Sequence, residues 1–200
     1  MTLLPIKKGT FFELVLVVAC AVGLALGVQA WAVKPYQIPS GSMEPTLEIG
    51  QRVLVNRIGT HFGSPEIGDI LVFHPPAGAE TDKCGAKTEP KQACSLPAGE
   101  ASDINFIKRV VAGPGDELSI RNGHTIVNGE RAAESFARPC DNPSQCDFPR
   151  TITIPPDHYF MMGDNRPASD DSRFWGPVPT DWIIGKAFAT YWPPDRIGRL

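Results

Sequence analysis

From Leu14 to Val33 the chain runs through twenty residues, LVLVVACAVGLALGVQAWAV, with no charge and only Gln29 strongly polar. A helix rises about 1.5 Å per residue, so the run spans about 30 Å, the hydrocarbon thickness of a bilayer. This predicts three parts: a short cytoplasmic N-terminus at 1–10, one transmembrane helix at 11–33, and an extracytoplasmic domain at 34–200. Lys7 and Lys8 precede the run, and only Lys34 follows it before Arg52. That bias favours a cytoplasmic N-terminus. Trp31 and Tyr36 suit interfacial anchors. A cleaved signal peptide is the alternative, because Val28-Gln29-Ala30 ends in a small residue. The apolar run continues past that point to Val33, which favours a retained anchor.

Only 20% of the 200 residues are charged, and the net charge is −3. A nucleic-acid binder would show a basic footprint, so none is expected as a partner. The 20 Pro and 19 Gly follow no period, which excludes collagen and disordered linker. They argue instead for a domain rich in turns and strands. Of five cysteines, Cys20 lies within the apolar run. The others form two close pairs, Cys84 with Cys94 and Cys140 with Cys146. Without a CxxC or a histidine at ligand spacing, disulfides in an oxidising compartment are a better reading than zinc. Four cysteines allow three connectivities, and nearest-neighbour pairing is the favoured one. No cofactor or metal is expected, and His61, His74, His124 and His158 show no ligand spacing.

Short β-branched segments bounded by turn signals read as strands at 52–57, 69–73, 104–112, 117–120, 125–127, 151–154 and 159–162. Asn122-Gly123 looks like the centre of a hairpin turn. Residues 179–184 hint at a short helix, while 77–102 and 131–150 look like long irregular loops. The expected fold is mostly β, a closed or half-closed barrel of antiparallel sheets behind the N-terminal helix.

Three segments carry polar groups suited to chemistry. In PSGSMEPTL, Pro39 to Leu47, two serines flank a glycine between prolines. A serine hydroxyl attacks an acyl carbon only when a base removes its proton and donors hold the oxyanion. Taken alone, Ser40-Gly41-Ser42 reads first as a surface turn. In INFIKRVVAGPGD, Ile104 to Asp116, strand alternation puts Lys108 on the more apolar face with Phe106 and Val110. Burial there would lower the lysine pKa toward a useful base, though a strand lysine more often reaches out to water. The third segment, Gly163 to Arg173, reads as a polar loop or a calcium site. It lacks the sixth-position glycine and closing glutamate of an EF-hand, so metal is the weaker reading.

Together PSGSMEPTL, GDILVF at 68–73, KRVVAGPGD and the GDNR–SxDSRFWGPV pattern at 163–178 resemble the type I signal peptidases. These are membrane-anchored serine proteases with a Ser-Lys dyad, and the resemblance extends from the apolar run to the last tryptophan. It implies Ser42 as nucleophile and Lys108 as general base. Ser40 and the Ser42 backbone N–H would form the oxyanion hole. Ser169 would orient the lysine, Asp171 and Arg173 would pair in support, and Gly163, Asp164 and Asn165 would shape the floor. The substrate would lie as an added strand against Gln37, Ile38 and Pro39 on one side and Asn105, Phe106 and Ile107 on the other, touching Met43. The implied activity removes signal peptides from exported preproteins at small-x-small sites. The enzyme would be a monomer, single-pass in the inner membrane, with its catalytic domain on the periplasmic face.

Two departures concern accessories. Pro167-Ala168 stands where many members carry Asp-Asn, and the span 116–151 has room only for a hairpin and a disulfide loop in place of a large second domain. Ser42 follows the apolar run by about eight residues, a reach of roughly 3.3–3.6 Å each, so the site must lie near the bilayer. Met43, Phe62, Trp175 and Trp192 are candidates for the interface, with core packing the better reading for at least half of them. The alternatives are a pilin or conjugation-factor processing peptidase of the same family and an inactive tethered binding domain. The second would have lost Ser42 or Lys108, and both are present.

Overall fold

Helix α1, Lys8–Ala32, passes directly into strand β1, Val33–Gln37. The computed structural model describes residues 8–58, 63–140 and 142–200, with backbone alone at 8–11, 25, 26 and 28–31. Lys7, His61 and Phe62 lie outside the described residues, as do the side chains of Lys8 and Trp31. The apolar residues of α1 are spread around the helix and not gathered on one face. Apart from Ala32, its described side chains, among them Phe12, Leu14, Val17 and Leu24, are exposed. They run unbroken only from Phe12 to Leu24, and among the described residues no helix is long and apolar enough to cross a membrane.

The body is two antiparallel sheets. The larger takes in β2 (Arg52–Asn56), β3 (Ile70–Phe73), β4 (Phe106–Ala112), β9 (His158–Met162), β10 (Val178–Pro179), β11 (Ile183–Trp192) and β12 (Gly198–Arg199) besides β1. Its order is β1-β2-β11-β3-β4-β9-β10, with β12 on β11. β1 and β10 stand at opposite ends without pairing, so the sheet curls into a half-closed barrel. The smaller sheet joins β5 (Glu117–Arg121), β6 (His124–Val127), β7 (Glu130–Arg131) and β8 (Phe148–Thr153) in the order β7-β6-β5-β8. The segment expected to hold only a hairpin and a disulfide loop thus builds a four-stranded sheet, because β8 returns to pair with β5. Asn122 and Gly123, both at positive φ (51° and 78°), make the tight turn between β5 and β6.

Sequence reading missed β11. The expected helix at 179–184 is a 3₁₀ turn, Thr180–Trp182, that ends where β11 begins. Gly185, Lys186, Ala187 and Ala189 weaken its strand signal, yet β2, β3 and β12 all pair with it. Pairing by neighbours overrides low intrinsic β-propensity. The loop 77–102 carries one 3₁₀ turn, Ala79–Thr81, and 131–150 carries the short helix α2, Pro143–Cys146. Both disulfides pair nearest neighbours, Cys84–Cys94 and Cys140–Cys146, with Cα separations of 5.7 and 6.1 Å.

Strand β4 divides the larger sheet's core. Ile107 packs with Ile38, Met43, Leu47, Val53 and Val72, while Val110 packs with Phe73, Met161, Trp175 and Val178. Met43 and Trp175 are therefore core residues, both fully buried and not interfacial, whereas Trp192 is 49% exposed. Trp175, from helix α3, Ser172–Trp175, lies 6.0 Å from the Phe73 ring and 6.5 Å from that of Phe106. Trp175→Ala is expected to cost about 3–5 kcal/mol of stability, through lost transfer energy and the cavity left behind. Urea unfolding checks this, and a loss below 1 kcal/mol would mean that the cluster does not hold the strand in place.

Candidate active site

Ser42 sits in a 3₁₀ turn, Gly41–Met43, entered from the extended residue Ser40. The turn is anchored from below by Met43 and Leu47, both at 0% exposure. Lys108 comes from the middle of β4, opposite Leu71 of β3. Its Nζ donates to Ser42 Oγ at 2.6 Å, and the Ser40 hydroxyl lies 3.4 Å from the same oxygen. Ser42 and Lys108 are 7% and 5% exposed. Burial disfavours the ammonium form, and although Asp171, Asp170 and Asp164 pull the other way, the lysine pKa falls from 10.5 to about 8. A serine hydroxyl in contact with an amine that sheds its proton near neutral pH is the arrangement nucleophilic catalysis requires.

The loop 163–173 fixes that contact. Asn165 donates from its backbone to Ser42 O at 3.0 Å and from Nδ2 to Gly41 O at 2.9 Å, clamping the serine turn. Asp171 caps α3 and accepts from Gly163 N (3.0 Å) and from Arg173 Nε and Nη2 (2.7 and 2.9 Å). Burial pushes its carboxyl up, but the Arg173 charge and the hydrogen bonds outweigh burial and hold the pKa below the ordinary value. Arg173 also donates to the carbonyls of Arg166, Ser169 and Gln145, tying the loop to the second disulfide segment. Asp164 is bound by Arg109 through two nitrogens at 2.9 and 2.7 Å and by Thr46 Oγ1 at 2.5 Å. Arg166, 1% exposed, donates to Gly163 O, Gly123 O and both carboxylate oxygens of Glu134. For Glu134, burial raises the pKa, but Arg166 and Thr125 overcome that and hold it down. Sequence reading missed Arg109, Thr46, Arg166 and Glu134, since nothing in the sequence shows which charges meet across more than thirty positions.

The residues expected at the substrate fall into two adjoining cavities. One, of about 370 Å³, is lined by Pro39, Ser40, Ser42, Phe106, Lys108 and Asp170. The other, of about 270 Å³, is lined by Gln37, Ile38, Pro39, Asn105, Phe106 and Ile107. β9 pairs with β4 only from Arg109 onward, so 105–108 present an open backbone edge to both. Met43, expected at the substrate, lines neither cavity; it is held in the core by Leu47, Val53 and Ile107. The Ser169 hydroxyl, expected to orient Lys108, is buried beside Asp171, and its hydrogen bond helps to hold that carboxyl down. It lies against Gly163, where an added Cβ would come within 2.3 Å of it and 2.4 Å of Ser42 O. Among the described residues no cluster of three or more His, Cys, Asp and Glu is arranged to hold a metal.

A profile of the signal peptidase family, peptidase S26, matches residues 11–192. The chain belongs to that family. It is 35% identical to a probable signal peptidase I-2 of Synechocystis over 96% of this chain and 78% of the relative. It is also 35% identical to signal peptidase I of Leptolyngbya laminosa, over 98% and 87%. A solved signal peptidase I from Enterococcus faecalis overlaps 62% of the chain and 97% of its own length, at 23% identity and a TM-score of 0.43. Membership in the family makes the protein a serine endopeptidase.

Two expectations follow from the geometry. Gly163→Ala forces Ser42 and Ser169 apart and is expected to lower activity at least tenfold with the fold retained by circular dichroism; wild-type activity would refute the close approach. For Lys108, the unfolded chain binds the proton near 10.5 and the folded chain near 8. The native state therefore loses roughly 3 kcal/mol as pH falls from about 10.5 to about 8. Lys108→Met is expected to be more stable than wild type by about that amount at pH 7, with the gap closing at pH 10.5. Equal stability at both pH values would show that burial imposes no penalty on the lysine.

Proposed function

We propose that this chain is a membrane-anchored signal peptidase that cleaves signal peptides from exported preproteins with Ser42 as nucleophile and Lys108 as general base. The observation that carries the proposal is the 2.6 Å contact between Ser42 Oγ and a lysine whose pKa burial lowers to about 8. Neutral Lys108 takes the Ser42 proton as Oγ attacks the scissile carbonyl, and the ammonium then protonates the leaving amine. Ser40 Oγ and the Ser42 N–H stabilise the oxyanion. Water, deprotonated by Lys108, releases the acyl-enzyme. The open edge at 105–108 and the extended segment Gln37–Pro39 receive the substrate as an added strand, and the adjoining cavities take its short side chains.

Support for anchoring comes from α1 and its uncharged stretch at 14–33. An apolar helix with exposed side chains is stable where lipid replaces water around it. Its direct passage into β1 keeps Ser42 near the bilayer, where a signal helix still in the membrane presents its cleavage site. In this topology the disulfide-bearing body faces an oxidising compartment.

Incubation of the detergent-solubilised chain with a preprotein carrying an Ala-x-Ala site should release a product whose new N-terminus follows the second alanine. Ser42→Ala and Lys108→Ala should each lower cleavage by at least 10³-fold while remaining folded; full activity in either contradicts the dyad. Lys108 is protonated below its pKa and then cannot accept the serine proton, so kcat/KM should fall as pH drops through about 8. In sealed inside-out vesicles the body should resist added protease, and digestion there would reverse the topology.

A further inference from the structure

Asp170 lines the cavity that holds Ser42 and Lys108, yet the chemistry above makes no use of it. Among the described residues its Oδ1 is buried without a hydrogen-bond partner. Acting on it is Asp82, two residues before Cys84 in the loop 77–102, through its charge and a side-chain hydrogen bond. The loop is seated firmly. Ala79 is buried with Phe73 and Trp175, and Cys94 N donates to Arg173 O at 3.0 Å. Two carboxyl groups held in contact share one proton, since only the neutral partner can donate. The charged groups acting on Asp170 are Asp82, Asp171 and Lys108, and those acting on Lys108 are Asp171, Asp170, Arg173 and Asp164.

We propose that Asp170, paired with Asp82, is a positioning residue whose charge favours the ammonium on Lys108 and whose neutralisation beside Asp82 releases that hold as pH falls. This rests on Lys108 being the general base. Burial, then the charge of Asp82, raises Asp170 to about 7, one step below the lysine. At pH 8 and above, ionised Asp170 favours the ammonium on Lys108. Below about 7 the pair takes up a proton and that support vanishes, at the pH where the lysine would otherwise hold its proton most firmly. The two titrations therefore belong to the cluster, and the acid limb of activity is shallower than that of a single ionisation. The loop carrying Asp82 thereby acts on the reaction without touching the substrate.

The test is kcat/KM against pH from 5.5 to 9.5 for the whole chain in detergent with one Ala-x-Ala peptide, each variant normalised to its own plateau. Asp170→Asn removes the charge that favours the ammonium, and its limb should move to lower pH by about half a unit. Asp82→Asn removes one cause that raises Asp170 while burial and Asp171 remain, so Asp170 stays ionised to lower pH than in the wild type. Its limb should steepen, and relative activity at pH 6.5 should drop by roughly threefold, the size of a half-unit change in pKa. Asp170→Glu should keep the wild-type limb. A purely structural role predicts losses at all pH values and no opposed movement of the limbs. Limbs that coincide with wild type, or that move together, overturn the proposal. Should Lys108→Ala retain activity, the dyad itself fails, an outcome separable from unchanged limbs with the dyad intact.

Discussion

Removing the Lys108 ammonium from water is the constraint to which the rest of the site answers. A lysine in a strand ordinarily reaches solvent with its charged end. Here β4 carries it between two apolar packings, Ile107 with Ile38 and Met43 on one side and Val110 with Phe73 and Trp175 on the other. The cost of charging the amine in that position is what brings its pKa down to about 8. The same cost detracts from the stability of the protonated native state, so the flanking clusters must offset it.

Holding a serine hydroxyl against that amine requires a rigid turn, and rigidity comes from buried ion pairs. Asp171 with Arg173, Asp164 with Arg109 and Glu134 with Arg166 each bring a carboxylate and a guanidinium out of solvent. Such pairs contribute little net stability over apolar replacements, but breaking one leaves an uncompensated buried charge. Their value here is geometric. Arg173 reaches both the loop 163–173 and the second disulfide segment, and Arg166 reaches the hairpin of the smaller sheet. The smaller sheet is thereby coupled to the serine turn through Gly163 and Asn165, at a distance from the chemistry.

Much of this was legible in the sequence, for reasons local to each segment. The strands β2 to β6, β8 and β9 announce themselves because β-branched runs end at Gly, Pro and Asn, whose backbone preferences act within a few residues. Paired cysteines in short loops met because chain closure over six or ten residues is easy. β11 was hidden because its residues are individually poor strand formers and its stability is supplied by three neighbours. Met43 adjoins Ser42 in the chain, yet it is buried in the core and lines neither substrate cavity.

The sequence by itself determined the apolar N-terminal run, the mostly β body and the segments that carry Ser42 and Lys108. Each of these is written in a stretch of neighbouring residues. Only the tertiary structure decided that the lysine lies 2.6 Å from the serine, that Arg109, Arg166 and Arg173 partner Asp164, Glu134 and Asp171, and that Asp82 acts on Asp170. Hydrogen bonds and Coulomb interactions between buried groups depend on separation in space over a few ångströms, and sequence distance does not encode that separation until the sheet has closed around it.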